Sequence, residues 1–172
     1  MFKSVFCSII LFIAVSVFSC ADKNDGDKSN DKTFKTCKMV VISPYGCYQE
    51  IEFTGQGEGL LKSGLRDGDI IDEDVRFDTL FSIDSFYIKN EQDLKGVHRI
   101  IKSILDNTDM KKGHKDDAYR CKLFIDGVNK IDIYSLSKDL HELLRYLINY
   151  LPLSNDKCEF FELFKKSLQS SQ

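Results

Sequence analysis

Four short segments in the first half of the chain read as strands, and the second of them has the period of two residues that is typical of a half-buried strand. In the second of them, Cys47, Ile51 and Phe53 fall on one face, while the two glutamates among them fall on the other. Glycine, proline and other turn-forming residues separate the segments. The predicted strands are residues 34–42, 47–53, 59–64 and 79–88.

Three later segments have the period of an α-helix. In the first of them, Asn90 is a suitable N-cap, and the apolar residues from Leu94 to Leu105 fall on one side. The second carries a stripe of leucines and is followed by Pro152, which cannot continue a helix. The third is short and rich in phenylalanine. The predicted helices are residues 90–105, 137–150 and 157–168.

A hairpin is predicted between the first two helices. Residues 119–125 and 130–134 read as strands around Asp126 and Gly127, a pair typical of hairpin turns. The order is then four strands, one helix, two strands and two helices, and meandering strands with separate helices favour an α+β fold. We predict an antiparallel sheet of about five to six strands with two or three helices packed on one face.

The chain starts with an apolar run, residues 5–18, that Lys3 precedes and only serines interrupt. The run is shorter than the roughly 20 apolar residues that a spanning helix needs. A short basic start followed by such a run is typical of a secretory signal. An uncleaved N-terminal anchor is the alternative that this pattern leaves open.

The end of this run, Val17-Phe18-Ser19-Cys20, resembles the lipobox of bacterial lipoproteins: an aliphatic residue, a variable one, a small one and cysteine. The resemblance covers residues 1–20, with valine in place of the commoner leucine. It implies that the signal is cut before Cys20 and that the Cys20 thiol carries a lipid. The protein would then be held at the cell envelope, at the outer membrane of a Gram-negative bacterium. An ordinary signal peptide, with Cys20 as a thiol or in a disulfide, is the alternative.

The segment after the signal contains no large apolar residue and many charged ones. Such a sequence cannot bury enough surface to offset the entropy lost on ordering, so it reads as a tether. We therefore divide the chain into a signal (1–19), a disordered polar tether (20–33) and one α+β domain (34–172). The domain is similar to many uncharacterised envelope lipoproteins of Gram-negative bacteria, without matching a named family.

The charge balance argues against nucleic acid as a partner. The chain has 24 lysine and arginine residues against 27 acidic ones, a net charge of −3, and the two signs are interspersed. Binding to a phosphate backbone needs a basic stripe, which this sequence lacks.

Four cysteines remain in the domain: Cys37, Cys47, Cys121 and Cys158. An even number in an exported chain predicts disulfides, two in the main interpretation, although the sequence cannot choose among the three possible pairings. No pair has the C-x-x-C spacing of a zinc site, and no histidine lies near a cysteine, so we predict no metal.

The densest group of acidic side chains lies in residues 67–74, called here the acidic segment. Carboxylates of this kind bind divalent ions or serve in hydrolysis, but acids so close in sequence usually line a solvated loop. The alternative function that we keep open is a small envelope hydrolase that combines this segment with His98 or His141. His114 lies among lysines and reads as a surface residue.

The main functional hypothesis is a non-catalytic binding module, in an inhibitor, immunity or other binding role, with no cofactor. The sequence contains none of the motifs G-x-S-x-G, H-E-x-x-H or a nucleotide-binding fingerprint. Tyr45 and Tyr48 flank a predicted turn, and tyrosine is frequent in protein-binding surfaces. We take these two residues as the candidate surface for an envelope protein partner, with the lipid on Cys20 as the contact to the membrane.

Overall fold

Six strands form one antiparallel sheet in this computed structural model, which describes residues 34–72, 75–106, 118–153 and 158–170. The strands are β1 (Thr36–Ile42), β2 (Cys47–Thr54), β3 (Glu58–Asp67), β4 (Arg76–Tyr87), β5 (Arg120–Ile125) and β6 (Val128–Ile133). Their order across the sheet is β4-β3-β2-β1-β5-β6. The first four strands follow one another as a meander, and the later hairpin adds to the free side of β1.

Three helices complete the described part: α1 (Glu91–Asp106), α2 (Lys138–Leu147) and α3 (Phe160–Ser170). The predicted cap of α1 is present, since Oδ1 of Asn90 accepts hydrogen bonds from the backbone N–H groups of Gln92 at 2.8 Å and Asp93 at 3.4 Å. Ser137 caps α2 in the same way by accepting from Leu140 N at 3.3 Å.

The two faces of the sheet differ because the side chains of each strand alternate between them. On β1, Met39 and Val41 join the main core with the apolar stripes of the helices, and we call this side the helix face. Val40 and Ile42 point to the opposite side, the outer face. The main core therefore lies between the sheet and the three helices.

A second, smaller core lies on the outer face. Val40, Ile42 and Tyr48 pack there against Val75, which belongs to the connection between β3 and β4. This connection contains residues 68–72 of the acidic segment, so the described part of the loop covers the sheet on the side opposite the three helices.

The α+β class, the antiparallel sheet and the order of its elements are confirmed. The third strand is longer than predicted, because residues 65–67 continue to pair with β4 beyond the predicted end at Gly64. The described residues belong to one compact unit. The predicted signal and tether, residues 1–33, lie outside the described residues.

Candidate functional site

Cys20, the predicted site of lipid attachment, lies outside the described residues. Within the described residues, no helix combines the length and apolar character needed to cross a membrane. The signal, its cleavage and the lipid on Cys20 stay predictions.

The two tyrosines that we expected to share one surface lie in different surroundings. Tyr45, in the turn between β1 and β2, is 81% exposed. Tyr48 is only 6% exposed, and its ring packs edge-on against Phe77 on the outer face with centroids 4.5 Å apart. Burial, and then the charge of Glu50, raise the pKa of the Tyr48 phenol. Of the two residues, only Tyr45 presents its side chain to solvent.

The acidic segment uses its carboxylates to hold its own backbone. Oδ2 of Asp72 accepts a hydrogen bond from the N–H of Asp69 at 2.6 Å, and Oδ1 of Asp69 accepts from the N–H of Ile70 at 2.6 Å. Arg120 on β5 then donates from Nη1 to the carbonyl oxygens of Ile70 and Asp72, both at 2.8 Å. The segment is thus fastened to the sheet, as far as it is described; residues 73 and 74 lie outside the described part.

The histidines of the hydrolase alternative lie on the other side of the sheet. His98 on α1 has Nε2 2.8 Å from the carbonyl oxygen of Gly55, and its ring packs at a tilt against Phe34 with centroids 5.0 Å apart. His141 on α2 packs edge-on against Phe164 of α3. Both belong to helices on the helix face, whereas the acidic segment covers the outer face, so the structure does not bring them together. His114 lies outside the described residues.

The four candidate disulfide cysteines are free thiols in this structure. Cys37, Cys121 and Cys158 are buried, and Cys47 is half-buried. Burial raises the pKa of the Cys37 thiol, and it raises the pKa of Cys121 to about 12, so both remain protonated at neutral pH. The structure shows none of the expected disulfides, and they stay predictions.

A small cavity of about 190 Å³ lies between the start of β2 and the start of α3. Tyr119 forms a hydrogen bond with Ser43 at this cavity, while burial raises the pKa of the Tyr119 phenol. The Tyr119 ring packs against Phe160 with centroids 4.8 Å apart. The lining includes Tyr45, Cys47, Gln49, Tyr119, Cys158 and Glu159.

The outer face also has a wider groove of about 920 Å³, which Lys38, Tyr48, Asp67, Arg76 and Lys122 help to line. Charges of both signs meet along it, so the groove favours neither an anionic nor a cationic ligand by charge alone.

Beside this groove, charged side chains on β1, β2 and β3 form ion pairs across the sheet. Glu50 on β2 has carboxylate oxygens 2.7 Å from Nζ of Lys62 and 3.9 Å from Nζ of Lys38. The hydrogen bond with Glu50 is the largest cause of the raised pKa of Lys62. On the outer face of the middle strands, these charged side chains therefore pair with one another.

The open edge of the sheet at β4 was not predicted from the sequence. β4 pairs with β3 alone among the described strands, and its last six residues, 82–87, pair without a register shift. Ile83 and Tyr87 are 55% and 51% exposed, and Leu60 on β3 lies beside them on the same face. The other large exposed apolar residues on these two strands are Leu65, Leu80 and Phe81.

The apolar residues among positions 79–88 were the available signal for this surface, but in the sequence they only indicated a strand. Whether such a strand is central or at an edge depends on the order of pairing, which one sequence does not contain. We call residues 82–87 with Leu60 the β4 edge.

In the described part of the chain, no group of three or more histidine, cysteine or acidic side chains is placed to hold a metal ion. Comparison with protein-family models, curated proteins and solved structures gave no match for this chain.

Proposed function

We propose that the protein is a lipid-anchored, non-catalytic binding module of the bacterial envelope, and that it contacts a protein partner through the β4 edge. The observation that carries the binding role is the accumulation of exposed apolar side chains on a long edge strand. Exposed apolar patches on soluble domains mark interaction sites, and an open edge strand offers backbone groups for pairing.

The anchoring role rests on the lipobox-like residues 17–20 and on the polar segment that follows them. A lipid on Cys20 would hold the domain at the membrane, and the tether would let it reach a partner. One acyl chain binds a membrane only weakly and reversibly, whereas several chains on one cysteine give a lasting attachment.

The binding mode that fits the β4 edge is addition of an extended peptide as a seventh strand. Residues 82–87 have no bulge, so their outward backbone groups keep the regular spacing that an added strand requires. Ile83 and Tyr87 lie on one face of this segment, where they would contact alternate side chains of the partner. The bulges nearer the start of β4 limit pairing to this segment.

The hydrolase alternative is less well supported, because it needs the acidic segment beside a histidine. In the described residues the acidic segment packs on the outer face, while His98 and His141 belong to helices on the helix face. A general acid and base must lie within hydrogen-bonding reach of one substrate.

The anchor is tested by the intact mass of the full chain expressed in a Gram-negative host. We expect a mass that begins at Cys20 and is raised by glycerol and acyl chains, in the membrane fraction. Cys20→Ser should abolish both the lipid and the cleavage, whereas Cys7→Ser, a matched change within the same signal, should alter neither. A wild-type mass that begins at Met1, or a cleaved mass without lipid, would contradict the proposal.

The β4 edge is tested by the variant Ile83→Lys with Val128→Lys as its control. The two residues are equally exposed, at 55% and 54%, and lie on strands at opposite edges of the sheet. After crosslinking in intact cells, we expect Ile83→Lys to reduce the recovered partner at least tenfold, a loss of about 1.4 kcal/mol in binding. Equal recovery with both variants would rule out this edge as the contact surface.

A further inference from the structure

The strand register excludes a disulfide between Cys37 and Cys121. Cys121 on β5 lies opposite Val41 on β1, and Cys37 is four residues away from Val41 along the same strand. At about 3.4 Å per residue, the two cysteines are roughly 13 Å apart along the sheet. A disulfide needs Cα atoms within about 7 Å, so this pair would require the sheet to come apart.

The same reasoning separates Cys47 from both of these thiols. Cys37 lies opposite Phe53 on β2, six residues from Cys47, which is a separation of roughly 20 Å. Cys121 is two strands away from Cys47, with β1 between them, or about 10 Å across the sheet. Neither pair meets the geometry of a disulfide.

Cys158 contacts β3, whereas Cys37 and Cys121 lie on β1 and β5. Its thiol donates a hydrogen bond to the carbonyl oxygen of Gly64 on β3 at 3.4 Å. β3 is two strands from β1 and three from β5, or about 10 and 14 Å across the sheet.

Cys47 is the cysteine that lies near Cys158. The strand partner of Cys47 on β3 is Leu65, and Gly64 precedes Leu65. Because the Cys158 thiol contacts the Gly64 carbonyl, it lies beside this partner of Cys47. Both cysteines line the same 190 Å³ cavity. Cys47 is half-buried and therefore open to a dissolved reagent, whereas Cys158 is buried and lines the cavity.

We propose that Cys47 and Cys158 are the one pair of domain cysteines that forms a disulfide, and that this bond closes the cavity and joins α3 to the sheet. The oxidant is a donor disulfide, such as that of a thiol–disulfide oxidoreductase or of oxidised glutathione. The Cys47 thiolate attacks one donor sulfur and releases the other as a thiolate, which gives a mixed disulfide.

In the second step the Cys158 thiolate attacks the Cys47 sulfur of that mixed disulfide and displaces the second donor thiolate. The donor disulfide is thereby reduced to two thiols, and two protons and two electrons pass from the cysteine pair to it. The disulfide does not depend on the membrane anchor or on the β4 edge, so its test is independent of the tests of the proposed function.

The experiment treats the folded full chain, in a Cys7→Ser and Cys20→Ser background, with oxidised glutathione. Remaining thiols are then blocked with N-ethylmaleimide during unfolding, and the peptides are mapped by mass without reductant. We expect a linked peptide pair that contains Cys47 and Cys158 and is two hydrogens lighter than the two separate peptides. Cys37 and Cys121 should carry the maleimide.

Two variants make the result specific. With Cys158→Ser, the reaction should stop at a glutathione adduct on Cys47, and with Cys121→Ala the Cys47–Cys158 link should form as in the parent. The link should also raise the melting temperature by roughly 10 °C, because it closes a loop of more than 100 residues. Linkage of any other pair, or maleimide on all four cysteines after oxidation of the folded protein, would overturn the proposal.

Discussion

Arg120 on β5 and Asp132 on β6 form a buried, bidentate ion pair. Nε of Arg120 donates to Oδ1 of Asp132 at 2.7 Å, and Nη2 donates to Oδ2 at 2.8 Å. The side chains are only 5% and 9% exposed. Because Nη1 of the same guanidinium donates to the carbonyls of Ile70 and Asp72, this one arginine connects the hairpin β5–β6 to the acidic segment.

We expect Asp132→Asn to destabilise the protein by about 3–5 kcal/mol, since it removes the charge that balances a buried guanidinium. The amide nitrogen that replaces one carboxylate oxygen also directs hydrogens toward the guanidinium, a donor facing a donor. Urea unfolding at pH 7 measures the loss. Asp67→Asn is the matched control: its pair with Arg76 is 3.7 Å long and largely exposed, so the change should stay within about 0.5 kcal/mol. Equal effects of the two changes would show that burial of the pair is irrelevant.

Arg120→Lys should release the acidic segment while leaving a positive charge beside Asp132. A lysine ammonium cannot present the planar fork that reaches the carboxylate and two carbonyls together. Limited digestion with a protease specific for aspartate should then cut at Asp69 or Asp72 at least tenfold faster than in the parent protein. An unchanged rate of cleavage would mean that the small apolar core on the outer face holds the segment without Arg120.

Gly96 on α1 is needed because of the close contact between α1 and α2. A Cβ atom at this position would lie 2.5 Å from Cε1 and Cζ of the Tyr146 ring. In a free helix, Gly→Ala stabilises by about 0.5–1 kcal/mol, but here we expect Gly96→Ala to cost about 1–3 kcal/mol by overpacking. In a Tyr146→Ala background the same change should become neutral or stabilising. A double-mutant cycle by urea unfolding measures this reversal, and its absence would place the strain elsewhere.

Stability should fall at alkaline pH because Cys37 and Cys121 keep their protons in the fold. Their pKa values are raised by burial above 9.0, the value of an ordinary thiol. The unfolded chain therefore loses these protons first, binds fewer protons than the native state, and gains stability relative to it as the pH rises. The loss should begin near pH 9 and reach about 1.4 kcal/mol per pH unit for each thiol.

The measurement is the free energy of unfolding in urea at intervals from pH 7 to pH 10.5. Tyr48 adds to the decline above about pH 10, because its phenol also has a raised pKa in the fold. Replacing both Cys37 and Cys121 by alanine should lower the stability at pH 7 but flatten its dependence between pH 9 and 10. A slope unchanged by this double substitution would assign the alkaline loss to other groups.

The helix and strand segments could be predicted from the sequence, because local propensity and burial on one side determine which residue types follow one another within a segment. The cap at Asn90, the hairpin turn at Asp126 and Gly127, and the order of strands and helices all follow from neighbours in the chain. The length of β3 did not follow in this way. Residues 65–67 extend β3 past Gly64 because they pair with residues of β4, and the sequence of one segment does not contain that pairing.

The surroundings of particular side chains required the tertiary structure. Tyr45 and Tyr48 are three residues apart, yet one is exposed in a turn and the other is buried under the acidic segment. Likewise, the positions of the four cysteines along the sequence do not give their distances in the fold. The strand register places Cys47 far from Cys37, and the contact of Cys158 with Gly64 places it beside the strand partner of Cys47.

The sequence by itself therefore determined the class of fold, the helix and strand segments, and the lipobox-like start on which the anchor is proposed. Only the tertiary structure decided which strand stands at the edge, which tyrosine is exposed and which cysteines are neighbours. The physical reason is that periodicity and capping are interactions between residues a few positions apart. Edges, cavities and thiol pairs arise from contacts between residues tens of positions apart. Such contacts form only when the strands pair in the folded protein.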